Sequence, residues 1–260
     1  MTETVEASIY DYPQYYELLF GSDVAAENRF LKKCFQKHAC CEIRRIFEPA
    51  CGTGRLLVKL GRAGFDVAGN DLNAKAVEYC NRRLKRAGLP ESVVVGDMAD
   101  FQVDGGFDAA FNTINSFRHL ATERQAVGHL RSIAGGLTAG GLYVLGIHLE
   151  PTDGQPIQEE SWSSRRGNLV VNSYMWSKGI DRATRLEHLG MNIDVYTPAR
   201  HLRIVDHMEY RTYRWSQFQS LLKKVPELEI AETYDFSYRI QCPIQITSRA
   251  EDVVFVLRRK

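Results

Sequence analysis

The chain has 260 residues, of which 44% are apolar and 25% are charged, values that are ordinary for a globular protein with a sizeable core. Its formal net charge of +1 weighs against a dedicated nucleic-acid-binding protein, because such proteins usually present a strongly basic face. No apolar run is long enough to span a bilayer, and residues 1–10 lack the basic and apolar regions of a signal peptide, so we expect a cytoplasmic protein.

The N-terminal segment, residues 1–40, is predicted to be helical. Residues 8–16 read Ser-Ile-Tyr-Asp-Tyr-Pro-Gln-Tyr-Tyr, which is more aromatic than a solvated tail requires. One explanation is a helix that packs on the core through Tyr15, Leu18 and Leu19. Such a helix would have a purely structural role.

A glycine-rich turn follows the first predicted core strand. Residues 46–55 read Ile-Phe-Glu-Pro-Ala-Cys-Gly-Thr-Gly-Arg, a short apolar strand, one acidic residue and a turn that opens a helix. Gly52 and Gly54 have no Cβ, so the backbone can turn sharply and approach a ligand closely. Because ligands bind at the carboxyl edge of open α/β sheets, the turn and the following helix N-terminus predict a nucleoside site.

Two details of this turn separate the classes of cofactor. The dinucleotide fingerprint G-x-G-x-x-G requires a third glycine, and that position here is Leu57. Glu48, just before the turn, is poorly placed beside a pyrophosphate but well placed for an ammonium group. The turn therefore favours a ligand that is cationic at one end, such as S-adenosylmethionine (SAM). A NAD-dependent oxidoreductase remains an alternative.

Strands and helices alternate to about residue 150, which predicts a parallel sheet. Four successive predicted strands end in acidic or polar side chains, namely Glu48, Asp71, Asp97 and Asn112. Because the carboxyl ends of parallel strands meet at one edge of a sheet, we expect these side chains to surround one ligand. Any one of them alone could instead cap the next helix or meet water.

The pattern changes after residue 150. Period-two alternation predicts three antiparallel strands, roughly 168–177, 184–196 and 200–213, before a helix and two more strands. These last strands bring the core to seven. We divide the chain into an N-terminal helical lid, a core, a β-rich insertion and the completion of the core sheet, at residues 1–40, 41–150, 151–214 and 215–260.

Residues 48–54 resemble motif I, E/D-x-x-x-G-x-G, of the class I SAM-dependent methyltransferases. The resemblance covers about residues 8–150 by motif and 215–260 by strand order. It implies a three-layer, Rossmann-like α/β fold with a mostly parallel seven-stranded sheet whose last strand is reversed. It also implies SAM as cofactor and S-adenosylhomocysteine (SAH) as product. A SAM-binding protein without catalytic activity, such as a regulatory subunit, would keep the same site.

The resemblance also implies the roles of individual residues. Asp71 matches the position that accepts the ribose hydroxyls, and Asp97 the position that accepts the adenine amino group. In related small-molecule enzymes a Tyr-Asp segment closes over the cofactor, which gives this role to Tyr10 and Tyr16. The predicted cofactor-binding set is Tyr10, Tyr16, Glu48, Ala50, Cys51, Gly52, Gly54, Arg55, Asp71, Leu72, Asp97, Met98 and Asn112.

Residues 112–120 resemble the corresponding segment of small-molecule methyltransferases and lack the D/N-P-P-Y/F turn of DNA and protein amide methylases. We therefore expect methyl transfer to an O or N atom of a small molecule. His119 and His148 are candidate general bases, although each could be purely structural. The predicted substrate contacts are Asn115, Phe117, Arg203, His207 and Arg211.

Metal and partner expectations complete the prediction. No cluster of carboxylates, histidines or cysteines has ligand spacing, so no metal is expected. We expect neither a nucleic-acid nor a membrane partner. Residues 151–214 are expected to form either a substrate cap or the contact of a homodimer.

Overall fold

The computed structural model describes residues 2–21, 24–153 and 158–260, which fold into two β-sheets. The first elements in chain order are β1 (Thr2–Glu6), α1 (Pro13–Phe20), α2 (Ala25–His38), β2 (Arg45–Pro49), α3 (Leu57–Arg62), β3 (Asp66–Asp71), α4 (Ala74–Arg86), β4 (Val93–Val95), β5 (Phe107–Asn112), α5 (Glu123–Gly136) and β6 (Leu137–His148). They are followed by β7 (Glu159–Arg166), β8 (Leu169–Asp181), β9 (Leu186–Tyr196), β10 (His201–Arg211), α6 (Trp215–Leu222), β11 (Leu228–Tyr234) and β12 (Asp252–Arg259). Short 3-10 helices lie at Ile9–Asp11 and Ser116–His119.

The larger sheet has seven strands in the order β11-β12-β6-β5-β2-β3-β4. The strands from β2 to β6 are parallel, whereas β12 is antiparallel to both of its neighbours. The predicted class, a mostly parallel seven-stranded α/β sheet with a reversed last strand, is therefore confirmed.

Helices cover both faces of this sheet and make three layers. Apolar side chains of α2, α3 and α4 pack on one face, and those of α5 and α6 pack on the other. Residues 253–257 of β12 read Val-Val-Phe-Val-Leu and are all buried, as expected for a strand that is covered on both sides. Within the described ranges, no helix is both long and apolar enough to cross a membrane.

The smaller sheet has five strands in the order β1-β10-β9-β8-β7, so the prediction of three strands was incomplete. β7 contains only one large apolar residue, Trp162, and its polar sequence carries little of the alternation that marks a strand. β1 is short and largely exposed, and it pairs in parallel with β10, about two hundred residues further along the chain. Neither strand could be found from a local pattern.

The N-terminal segment begins with β1, so the prediction of a helical lid over residues 1–40 is wrong for Thr2–Glu6. Its helix α1 packs on the smaller sheet, where Leu18 shares a buried cluster with residues such as Ile204. The backbone amide of Ile9 donates a hydrogen bond to Asp206 of β10 at 2.8 Å. The segment therefore joins the smaller sheet to the carboxyl edge of the larger one.

Candidate active site

A cavity of about 570 Å³ lies at the carboxyl edge of the seven-stranded sheet. Its wall combines the glycine turn, the ends of β3 and β4, the N-terminal segment and the Ser116–His119 turn. The structure thus brings together many of the residues that the sequence predicted for one site, namely Tyr10, Tyr16, Ala50, Gly52, Asp71, Leu72, Asp97, Met98 and His119.

The glycine turn has a left-handed backbone at three alternate residues. The φ angles are 50° at Ala50, 53° at Gly52 and 66° at Gly54. A Cβ at Gly54 would collide with the sulfur of Cys80 on α4. Gly54 is therefore required both by its φ angle and by the close approach of α4, and Gly52 leaves its backbone amide facing Asp71.

Asp71 shapes this turn directly. One carboxylate oxygen accepts a hydrogen bond from the Gly52 amide at 2.7 Å, and the other accepts from the Asn73 amide at 2.8 Å. Burial raises the pKa of Asp71, and the two backbone hydrogen bonds oppose that shift. Each oxygen has a second lone pair, so the carboxylate can still accept ribose hydroxyls from the cavity.

Glu48 and Asn112 end the neighbouring strands β2 and β5 and are both buried. The Asn112 amide donates to the Pro49 carbonyl at 2.9 Å. Oε2 of Glu48 and Oδ1 of Asn112 have no hydrogen-bond partner in the described parts of the chain. Burial raises the pKa of Glu48 well above its usual range. Two buried acceptors that lack donors fit an ammonium group, which brings three N–H bonds.

His119 lies on the cavity wall next to two tyrosines, Tyr10 and Tyr210. Its Nε2 is 2.9 Å from the Tyr10 hydroxyl. The rings of His119 and Tyr210 meet edge to face at 4.8 Å. Burial, helped by the charge of Arg118, lowers the pKa of His119 to about 4. The imidazole is therefore neutral at pH 7.

A second, smaller cavity of about 80 Å³ lies beyond the side chains of His119, Tyr10 and Tyr210. Tyr210 lines it, and His119 lines the larger cavity, so the two spaces adjoin at the contact between these two side chains. The second cavity is lined by many polar side chains, including Asn115, Arg118, His148, Glu150, Glu159, Glu160 and Glu187. Arg118 forms an ion pair of 2.6 Å with Glu187.

Comparison with known proteins decides the class of this site. The family described as "Methyltransferase domain" matches residues 46–141, the stretch that holds the glycine turn and β2 to β5. Residues 46–141 therefore form a methyltransferase domain. SAM is its methyl donor, and the protein is a methyltransferase rather than a dinucleotide-dependent oxidoreductase or a non-catalytic SAM-binding protein.

Three similar proteins illustrate the relationship. A dTDP-3-amino-3,4,6-trideoxy-alpha-D-glucopyranose N,N-dimethyltransferase of Streptomyces venezuelae is 28% identical over 184 residues, 68% of this chain and 74% of the relative. A SAM-dependent methyltransferase structure from Clostridium acetobutylicum ATCC 824 gives a TM-score of 0.77 at 17% identity and covers 95% of this chain and 97% of its own. The sugar N-methyltransferase KedS8 from Streptoalloteichus sp ATCC 53650 gives 0.74 at 20% identity, covering 98% and 95%.

Five residues predicted to touch the cofactor do not line the cavity, namely Glu48, Cys51, Gly54, Arg55 and Asn112, and two of them have clear structural partners. Cys51 is buried beside Cys80. Arg55 forms a buried two-pronged ion pair with Glu27, and it donates to the Thr113 hydroxyl at 3.2 Å. In this arrangement both side chains support the glycine turn from below rather than line the cavity.

The predicted substrate residues of β10 lie away from both cavities. Arg203 is bound by Asp194 at 2.8 and 2.9 Å, and His207 lies near Lys178 at the surface. Arg211 donates to backbone carbonyls. The side chains of β10 alternate between two faces, as predicted. However, the face that points inward is the one opposite to Arg203, His207 and Arg211. That face carries Tyr210, which alternation alone could have identified.

Of the other predicted acceptor-site residues, Asn115 and His148 line the second cavity, whereas Phe117 does not. Asn115 accepts a hydrogen bond from the His148 amide at 2.6 Å, and the His148 ring lies against the Asp252 carboxylate. Phe117 is completely buried and packs against Phe218 in the core. In this conformation Phe117 cannot contact an acceptor.

Replacing Glu48 with glutamine is expected to weaken SAM binding roughly tenfold, because a charge-assisted hydrogen bond to the cofactor ammonium is lost. The binding of 5′-methylthioadenosine, which has no amino-acid end, is expected to stay the same. Isothermal titration with both ligands measures the difference. Equal weakening of both would show that Glu48 acts only by supporting the turn, and no change in either would remove the ammonium role.

Proposed function

We propose that this methyltransferase transfers the methyl group of SAM to an amine nitrogen of a small molecule, and that the acceptor is an amino sugar carried on a nucleotide. The proposal rests on the position of three side chains, His119, Tyr10 and Tyr210. They lie between the cofactor cavity and a second cavity rich in carboxylates. The second cavity then receives only the amine-bearing end of the acceptor, because about 80 Å³ is too small for a whole nucleotide-linked sugar, and methyl transfer takes place beside His119, Tyr10 and Tyr210.

The weak basicity of His119 favours nitrogen over oxygen as the accepting atom. An alcohol must lose its proton as the methyl group arrives and gains from a base whose pKa lies near the working pH. The pKa of His119 is lowered to about 4, which makes it a poor base for that task. A neutral amine attacks through its own lone pair, so it needs His119 only as a hydrogen-bond partner that orients it.

The charges of the second cavity support the same choice. Methyl transfer moves the positive charge of the sulfonium onto the accepting nitrogen, and preorganised negative groups stabilise such developing charge. Glu159 and Glu160 line the cavity, and burial raises the pKa of Glu160. A poorly solvated carboxylate gains more than an exposed one from a neighbouring cation.

Two arginines beside the second cavity support an acceptor that also carries an anionic group. Glu150 lines the cavity and contacts both Arg182 and Arg214. Two guanidinium groups on one carboxylate leave a net positive charge, and arginine suits phosphate recognition. A nucleotide-linked amino sugar has both the amine and the phosphates, and the Streptomyces venezuelae relative is named for such a substrate.

Four acceptors test the proposal: an amino sugar and its hydroxyl analogue, each with and without a dTDP group. We expect an N-methylated product, detected by mass spectrometry together with SAH formation. The amine should be preferred over the hydroxyl roughly a hundredfold or more, because buried polar groups are left unpaired by the wrong acceptor. Removal of the dTDP group should raise the KM. Equal turnover of the hydroxyl analogue would overturn the choice of nitrogen, and equal KM values would overturn the nucleotide.

A further inference from the structure

We propose that Glu17 and Arg83 are positioning residues that hold the N-terminal segment closed over the cofactor cavity and so set how long SAM and SAH stay bound. The segment meant here is residues 8–20. The inference rests on the assignment of the cavity to SAM, but it does not depend on which acceptor is methylated.

Three separate parts of the fold meet at this contact. Glu17 lies on α1, Arg83 lies near the end of α4, and Thr53 lies within the glycine turn. The Thr53 hydroxyl donates to Glu17 at 2.5 Å, and Arg83 donates to Glu17 at 2.8 Å. Arg83 also donates to the Thr53 backbone carbonyl at 2.7 Å. The contact therefore joins the segment to the turn that lines the cavity.

The contact is shielded from water. The side chain of Glu17 is 9% exposed and that of Arg83 is 23% exposed. When one member of such a shielded ion pair is removed, the other remains as an uncompensated charge and its surroundings must rearrange. We therefore expect the loss of Arg83 to release α1 from the turn, since Glu17 can recover its solvation only by moving toward water.

The segment also has anchors at its beginning. Ile9 donates to Asp206 of β10, and Asp11 accepts from the Asn73 side chain at 2.9 Å. These bonds hold the first residues of the segment, whereas Glu17 holds the helix that follows. Loss of the Glu17 contact should therefore loosen α1 and leave the smaller sheet in place.

Release of α1 changes the cavity because the segment supplies part of its wall. Pro13 and Tyr16 line the cavity, and they belong to α1 rather than to the core sheet. When these residues move outward, the bound nucleoside becomes accessible to solvent. The expected consequence is faster cofactor exchange, with little direct effect on the sheet.

The test compares two adjacent arginines of α4. In Arg83→Met we expect SAH to dissociate roughly tenfold faster and the KM for SAM to rise by a similar factor, as for the loss of one charge-assisted contact. We expect kcat at saturating SAM to change by less than about twofold, because the interaction acts through cofactor binding. Arg82→Met is the matched control, since Arg82 is half exposed and contacts Glu78 and the Tyr79 ring, both within α4.

Two conservative variants separate positioning from general stability. Arg83→Lys keeps a charge near Glu17 and should restore part of the slow dissociation. Glu17→Gln keeps the size of the side chain and should speed dissociation in the same direction as Arg83→Met. This second variant decides the question if Arg83→Met does not fold.

Limited proteolysis within residues 8–20, with saturating SAH, reports the position of the segment. The wild type and Arg82→Met should be protected, and Arg83→Met should be cut. A folded Arg83→Met or Glu17→Gln protein with a lower melting temperature but wild-type SAH dissociation and protection would overturn the proposal. SAH binding needs no acceptor, so this result is independent of whether an amine is the substrate.

Discussion

Replacing His119 with alanine is expected to lower kcat roughly a hundredfold or more, because the group that orients the attacking amine is lost. The KM for SAM should change much less, since the predicted ammonium and ribose contacts come from Glu48 and Asp71. Steady-state kinetics with the amine acceptor of the proposed function measures both constants. A large rise in the KM for SAM with unchanged kcat would assign His119 to cofactor binding instead.

The pH dependence separates the role of His119 as a hydrogen-bond partner from that of a base. Burial lowers its pKa from 6.5 to about 4, so its charge does not change between pH 6 and 9. Any rise of kcat/KM over that range should therefore report deprotonation of the acceptor amine, and it should persist in His119→Ala. Disappearance of the rise in the variant would show that His119 titrates there and acts as a base.

Tyr10 supplies the matched test, because its hydroxyl meets Nε2 of His119 at 2.9 Å. Tyr10→Phe removes only this hydroxyl and keeps the ring that lines the cavity. If the two residues act through their shared hydrogen bond, the double variant should be little slower than His119→Ala alone. Additive losses would mean that the two side chains contact the reacting groups independently.

The sequence contained enough information to predict that many of the proposed cofactor-binding residues meet at one cavity, because that cavity is built from local signals. Glu48, Asp71 and Asp97 each follow a strand, and the glycines between them need no distant partner to form the turn. Leu57 occupies the position of the missing third glycine, and it is fully buried in the core at the start of α3. The same residue that argued against a dinucleotide therefore has a packing role.

The surroundings of that site could not be predicted, because they depend on residues far apart in the chain. Nothing near Arg55 in the sequence indicates that it forms an ion pair with Glu27. Likewise, Arg118 forms an ion pair with Glu187, which lies on a strand of the insertion. Polarity was also a misleading guide to β10. Its polar face meets solvent and neighbouring strands, whereas the single tyrosine at the end of its apolar face reaches the place where the two cavities adjoin.

Asp71→Ala is expected to produce two separate losses. Two charge-assisted hydrogen bonds to the ribose hydroxyls would disappear, and at roughly 1.5–3 kcal/mol each they amount to a loss of a hundredfold or more in SAM affinity. The amides of Gly52 and Asn73 would also lose their acceptor. The unfolding free energy should fall by about 1–3 kcal/mol, because a buried amide without a hydrogen-bond acceptor destabilises the folded state. From sequence alone, only the first loss was expected.

The other end of the same strand provides the control. Asp66 begins β3, is largely exposed and pairs with Arg45 at 3.3 Å, so Asp66→Ala should change the unfolding free energy by less than about 1 kcal/mol. SAM affinity by titration and the free energy from urea unfolding should then separate the two variants clearly. Unchanged affinity in Asp71→Ala would remove the ribose role. Reduced affinity without any loss of stability would show that the glycine turn keeps its shape without the carboxylate. A turn that depends on the hydrogen bonds to Asp71 must lose both SAM affinity and stability when that side chain is removed.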